Sequence, residues 1–386
     1  MTSLAGPKRR PAGRKQDILS AARSLFVERG YPSVTMAMIA DRVGITAGAL
    51  YRHHRSKSEL LVRVFEESFR HLTRPLPAES LEDAFDNLLS LEVASSSVAE
   101  LWRREARYLP QEPRDAILAA LFAWVGQCEQ LIRSARPELS SAQVSLLSWA
   151  LQSVLVMPAS VAQGVAKETV DNCRYGSLHA IERTDLEPMS VGPTTQDEAC
   201  FSVRSTRERL LLSAISRFGE NGFRDTSMTE IGADVGVTGP NLYQYFSSKA
   251  DLFQAAYARC ASTAWTLLGQ AASRAASPEQ IVRSLVVEHV RLGRLWAQTR
   301  FGPFGNDDVN AFVHRERAEY VSEWVHTVQA ARPALDRGAA QVRVQIALTL
   351  IDDMLSTRFL ARQQGFAENL ASIASAVLLD DLDDAR

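Results

Sequence analysis

A twenty-residue stretch, Asp41–Leu60 (DRVGITAGALYRHHRSKSEL), returns as Ala233–Leu252 (ADVGVTGPNLYQYFSSKADL), and no other feature narrows the choice of fold as much. The offset is a constant 192 positions, and the match runs ungapped for about fifty residues. Phe26 falls on Phe218, Gly30 on Gly222, Met36 on Met228, Ile39 on Ile231, Gly44 on Gly236 and Lys57 on Lys249. A long internal period means that one structural unit is used more than once. The chain is built from two copies of one module.

Each copy reads as short helices. In the first, Gln16–Arg29 carries Ile18, Leu19, Ala22, Leu25 and Phe26 along one helical stripe. Gly30 supplies the left-handed residue that closes such a helix. Thr35 can cap a second helix with its hydroxyl. In the second copy Ser227 and Glu230 make a full capping box, whereas Met38 at the matching place predicts a weaker cap in the first. Val43-Gly44-Ile45 and Val235-Gly236-Val237 form tight apolar turns. Thr46 and Thr238 then cap a third helix that ends near His54 and Phe246. Ser56–Glu59 and Ser248–Asp251 form boxes that open a fourth, longer helix. Two short helices joined by a glycine turn are a helix-turn-helix, whose second helix can enter the major groove of DNA.

At these residues the sequence resembles the TetR family of one-component transcriptional regulators. The shared pattern is Thr/Ser-Met, Ile-Ala/Gly, Val-Gly-Val/Ile-Thr, Leu-Tyr-x-x-Phe and Ser-Lys-x-x-Leu, and it covers about fifty residues per copy. The tandem arrangement, with LWRREARYL at 101–109, is similar to the double-TetR repressors of actinomycetes, one of which governs a mammalian-cell-entry lipid-uptake operon. The first copy departs from the pattern where His54 replaces the usual packed Phe. The expected fold is all-α, two TetR-like modules in tandem, each a DNA-binding head on a helical ligand-binding and dimerisation body.

Composition separates this reading from its rivals. At 386 residues with 46% apolar content, the chain has material for more than one core. No apolar run approaches the ~20 residues of a membrane span, and the basic start MTSLAGPKRRPAGRK has no apolar stretch after it to make a signal peptide. Cys128, Cys173, Cys200 and Cys260 are scattered, with neither metal spacing nor a disulfide framework. A cytoplasmic protein without membrane contact, metal or cofactor is expected. No GxSxG, GxxxxGK[ST] or HExxH is present, so no catalytic residues are assigned.

The net charge of −2 is unevenly spread. Lys8–Lys57 holds eleven Lys/Arg against three acids, a net +8, while Arg204–Lys249 holds six against five, a net +1. The remainder therefore carries −11. Basic heads on an acidic body orient a molecule toward phosphate, and the asymmetry predicts a firmer grip from the first head.

In order, the chain divides into a basic arm at 1–13, a first head at 14–58, a helical body at 59–183, a Pro/Gly-containing aperiodic linker at 184–203, a second head at 204–250 and a second body at 251–386. The resemblance implies that the last two long helices of each body, 140–164 with 166–182 and 339–363 with 366–379, join a partner in a four-helix bundle. A flexible linker of this length reaches ~25 Å. The two copies can thus dock within one chain as a pseudo-dimer, favoured by an effective concentration in the millimolar range; a further homodimer stays open.

The partner expected of the heads is double-stranded operator DNA. Thr46, Ala47 and Gly48, and Thr238, Gly239 and Asn241, open the recognition helices, where side chains face base edges; Asn241 suits a bidentate pair with adenine. Thr35 and Ser227 cap the helices before them, and Arg9 and Arg10 suit a phosphate strand or the minor groove. The resemblance implies that Tyr51 and Tyr243, with His53 and Tyr245, reach phosphate. Lys57 and Lys249, at the start of the fourth helix, combine charge with free backbone N–H groups and suit phosphate as well. The unlike recognition helices predict an imperfect or asymmetric operator. Its half-site centres should lie about one helical turn, ~34–36 Å, or a multiple apart.

The resemblance also implies an effector pocket among the middle helices of each body. Candidates are Trp102, Tyr108, Phe122, Trp124 and Trp149 in the first, and Trp296, Phe301, Phe304 and Trp324 in the second; at helical spacing such aromatics also serve as ordinary core. The implied effector is apolar or amphipathic, a lipid, sterol or acyl-thioester, whose preference for one head arrangement releases the DNA. The alternative is a regulator that uses only its first head as a homodimer, the second module sequestering ligand or a partner.

Overall fold

The computed structural model describes residues 11–70, 78–90, 101–102, 105–155, 164–190, 204–299, 306–357 and 359–380. They fall into two compact units, Met1–Leu76 with Ala94–Gln127, and Pro77–Val93 with Cys128–Arg386. The described residues form helices and turns, with no strand beyond one isolated bridge between Ser190 and Gln364.

The first unit is built on α1 (Pro11–Arg29), α2 (Met36–Val43), α3 (Ala47–His53) and α4 (Lys57–Ser68). Its core joins Ile18, Phe26, Ile39, Leu50, Leu60 and Phe65 to Leu101, Ala106, Leu109 and Ile117. Complete burial of side chains of this size contributes about 1.5–3 kcal/mol each, far more than short helices gain from propensity alone. α1 begins inside the stretch read as a broken arm, because proline is tolerated where no intrahelical N–H is needed. Gly30 has positive φ (78°), but its ψ of 145° is extended rather than left-handed helical.

In the second unit α9 (Thr206–Asp225), α10 (Met228–Val235), α11 (Gly239–Leu242) and α12 (Lys249–Arg274) repeat that plan. Their numbers follow α5 (Leu81–Ser90), α6 (Gln111–Ala135), α7 (Ser141–Leu155) and α8 (Lys167–Arg183) in the chain. Beyond them come α13 (Pro278–Thr299), α14 (Asp307–Ala331), α15 (Arg337–Ser356) and α16 (Phe366–Leu379). α15 touches α13, α14 and α16 as well as α7 and α8, and α16 packs on α8. α15 is buried on nearly every side, from Val342 through Met354, as a helix in the middle of a core must be. The helices α7, α8, α15 and α16 thus form a four-helix bundle from the two halves of one polypeptide.

Bundle boundaries differ from expectation. α7 is described only to Leu155, and α15 stops at Ser356 rather than 363. There the hydroxyls of Ser356 and Thr357 donate to the carbonyls of Asp352 and Asp353, at 2.8 and 2.9 Å, at the end of the helix. The expected linker begins as a seated strap. Gln143 Nε2 donates to the carbonyls of Leu186 and Glu187 (3.1 and 3.0 Å), and Asn369 Oδ1 accepts from Glu187 N–H at 2.7 Å while its Nδ2 donates back to Glu187 O at 3.0 Å. Only its continuation, 191–203, lies outside the described residues.

One described helix, α6, has the length and mean apolar content of a membrane crossing, although its sequence holds no unbroken apolar run of that length. It also carries Gln127, Glu129 and Gln130, and buries Ile117, Trp124, Val125, Cys128 and Ile132 in protein. Burial pushes the Cys128 thiol up to about 12 and the Cys260 thiol up to about 11, so both are inert apolar filler.

Candidate nucleic-acid interface

The reading helix of the first head is positioned from below. Thr35 caps α2, its hydroxyl accepting from Met38 N–H at 3.2 Å. Gly44, left-handed at φ 72°, ends that helix, and Ile45 N–H returns to Ala40 O at 3.0 Å. Thr46 then caps α3 through Ala49 N–H at 3.2 Å. Leu50, wholly buried, pins α3 to the core. Thr46, Ala47, Gly48, Tyr51 and His53 are consequently exposed, Tyr51 at 52%. Arg52, on α3 next to Tyr51, and Arg55, just past its end, were not among the sequence candidates and are exposed with them; their nearness to Tyr51 in the sequence is the signal that could have found them.

The second head follows the same plan with different detail. Ser227 and Glu230 form the expected capping box, Ser227 Oγ accepting from Glu230 N–H (3.1 Å) and Glu230 Oε2 from Ser227 N–H (2.9 Å). The expected hydroxyl cap by Thr238 does not form. Its carbonyl alone accepts, from Asn241 and Leu242 N–H at 3.0 and 3.2 Å. α11 is one turn, Gly239–Leu242, followed by tighter turns to Phe246; Pro240 sits in its first turn, where a missing N–H costs nothing. Thr238, Asn241, Tyr243 (54%), Gln244 and Tyr245 (40%) are exposed, and buried Leu242 and Phe246 are the anchors. Gly232 makes this turn tighter than its counterpart Ala40 could: a Cβ there would sit 2.5 Å from Val237 O.

Lys57 and Lys249 are corrections. Lys57 Nζ donates to the carbonyls of Tyr31 and Val34, both at 2.8 Å, and lies 4.3 Å from the centre of the Tyr31 ring. Lys249 Nζ donates to Arg224 O and Thr226 O at 3.1 and 3.0 Å, 4.6 Å from the Phe223 ring. Burial lowers both ammonium pKa values. These side chains clamp the turn between the first two helices of each head and do not point at a phosphate. A cation at a helix N-terminus opposes the helix dipole, which was the available sign that its partner lay elsewhere. The helix-opening boxes are also displaced by one residue. Ser56 and Ser248 cap as expected, but Glu59 and Asp251 accept from Arg55 and Ser247 N–H, the residues before the caps.

Charge in the second head is spent internally. Arg217 holds Asp234 through two hydrogen bonds of 2.8 and 2.5 Å, and Ser213 donates to the same carboxylate at 2.7 Å; together they hold it near about 2. Arg209 donates to Val235 O at 3.1 Å, and Arg207 lies over the Phe246 ring. In the first head Arg42 pairs with Glu28, while Arg14, Lys15, Arg23, Arg29, Arg52 and Arg55 are at least partly exposed. Arg9 and Arg10 lie outside the described residues.

Among the described residues, the aromatic pocket candidates lie in several different places. Trp102 sits edge-on to Phe65 and Phe69, and Tyr108 stacks on Tyr31 at 5.2 Å, both as core of the first head. Phe122 is 51% exposed, Trp124 is buried in the first unit, and Trp149 meets Phe359 edge-on at 5.8 Å at the bundle. Trp324 is fully buried against His289 and Tyr320. The side chain of Trp296 and all of Phe301 and Phe304 lie outside the described residues. A groove of about 320 Å³ between α13 and α16, lined by Arg283, Val287, Arg291, Ala371 and Ser375 among others, contains none of the candidates.

Comparison with known proteins meets this geometry at both heads. Residues 18–64 and 210–256 each match the family described as bacterial regulatory proteins, tetR family. Among curated relatives, the HTH-type transcriptional repressor AcnR of Corynebacterium jeikeium is 32% identical over 91 residues, 24% of this chain and 46% of that protein. The HTH-type transcriptional repressor KstR2 of Mycolicibacterium smegmatis is 30% identical over 115 residues, 27% and 55% respectively. The HTH-type transcriptional activator FasR of the same species is 36% identical over 81 residues, 21% and 36%. The chain spans about half the length, or less, of these relatives.

Proposed function

With the chain a tandem TetR-type regulator, we propose that it regulates transcription, as a repressor, by gripping an imperfect or asymmetric operator with two unlike heads carried on one polypeptide. The single observation that carries this reading is the bundle: the helices α7 and α8 from the first half pack with α15 and α16 from the second. An ordinary family member would form such a bundle with a second chain; here the partner is already tethered, so the clamp is an intramolecular pseudo-dimer. Tyr51 and His53 on one head, and Tyr243 and Tyr245 on the other, meet phosphate. Ala47, Gly48 and Asn241 read base edges. A small apolar or amphipathic effector in the bodies releases the operator by favouring a head spacing that no longer fits the duplex. The repressor names of two of the relatives support the sign of regulation. The protein acts where DNA is, in the cytoplasm.

The test is a footprint on an operator selected from random duplexes, using wild type, Tyr51→Ala and Tyr243→Ala. Each substitution should weaken binding and erase protection over one half of the site. An unchanged footprint with Tyr243→Ala would return the function to the first head acting as a homodimer, a reading favoured by the internally paired cations of the second head.

A further inference from the structure

Two heads of one ancestry differ at the residue that seats the reading helix. In the second head this is Phe246, 2% exposed. In the first it is His54, 7% exposed, whose backbone N–H ends α3 on Leu50 O at 3.0 Å and whose ring is buried beside Glu59 of α4. Among the described residues, neither ring nitrogen has a hydrogen-bond partner. The imidazole therefore fills the place of an apolar ring, and it does so cheaply only while neutral.

The charged groups around it come from three helices. Among the described residues Glu59 of α4 is the one acid, its Oε1 3.7 Å from His54 Nδ1, but its other oxygen is already engaged by Arg55 N–H at 2.8 Å. Lys15 of α1, Arg63 of α4 and the neighbouring His53 all oppose a second positive charge. Burial is the largest influence and draws the imidazole below its usual range, with Glu59 offsetting it in part. A histidine held neutral by the fold makes the unfolded head the better proton acceptor. Stability is then intact above the ordinary histidine pKa of about 6.5 and falls as the pH drops below it.

We propose that mild acid loosens the first head and not the second, through protonation of His54 at the end of the reading helix, so that one half of the clamp is pH-sensitive. Its consequence for operator binding rests on the function proposed above; the loosening itself does not.

Hydrogen exchange on the full-length chain tests it, comparing residues 36–60 with 228–252 in the same sample at about pH 7.5 and about pH 5.5. After correction for intrinsic rates, the first head should lose protection relative to the second by up to about tenfold at the lower pH, one unit below the ordinary histidine value. His54→Phe, which restores the residue type the second head uses, should abolish the difference. Equal behaviour of both heads overturns the inference, as does acid that tightens the first head, or a loss that persists in His54→Phe. Because no DNA is present, failure here leaves the Tyr51→Ala footprint untouched, and failure of that footprint leaves this result standing.

Discussion

At the lysines that open α4 and α12, position along the helix and direction of the side chain lead to different roles. Both ammonium groups satisfy carbonyls left by the glycine turn, a stronger demand in a half-buried site than a solvated phosphate contact. Lys57→Met should therefore cost the first head about 1–3 kcal/mol through carbonyls left unsatisfied. It should leave the log–log salt slope of DNA binding unchanged, whereas loss of a phosphate contact lowers that slope by about one. Thermal melts and a salt titration on the same variant separate the two roles. His54 makes the complementary point, since a histidine in an aromatic position is packing until it takes a proton.

At the scale of elements, the heads share anchors and differ in how tightly their turns close. Gly232 allows α10 to approach Val237 O, and α11 is a single turn where α3 runs from Ala47 to His53. Gly232→Ala should destabilise the second head by about 1–3 kcal/mol through overpacking, read as a lower urea midpoint for that head. Ala40 in the first head shows that the residue type itself is compatible with the module when the turn is wider. The seated strap at 184–190 belongs to this scale too. Held by Gln143 and Asn369, it carries the chain from α8 directly onto α16.

For the whole molecule, the bundle predicts stoichiometry. A selected operator should bind one chain of 42.6 kDa, and native mass spectrometry of the complex measures this directly. Two chains per operator would favour the homodimer reading. The uneven charge of the heads adds that the half-site under the first should retain protection at salt concentrations that release the second, because phosphate contacts dominate salt dependence.

The repeat at offset 192 determined the all-α class, both helix-turn-helix units and the turns at Gly44 and Gly236. These rest on local periodicity and capping, whose partners lie within four residues. Tertiary structure alone decided that Lys57 and Lys249 turn inward, that Trp102 and Tyr108 serve the head's core, and that Asp352 lies buried beside Arg317 and His289. Those partners are tens of residues apart in sequence, brought together by packing that no local pattern encodes. The strap is the clearest case, because the polar, aperiodic segment that reads as a loose tether is held by an asparagine 182 residues further on.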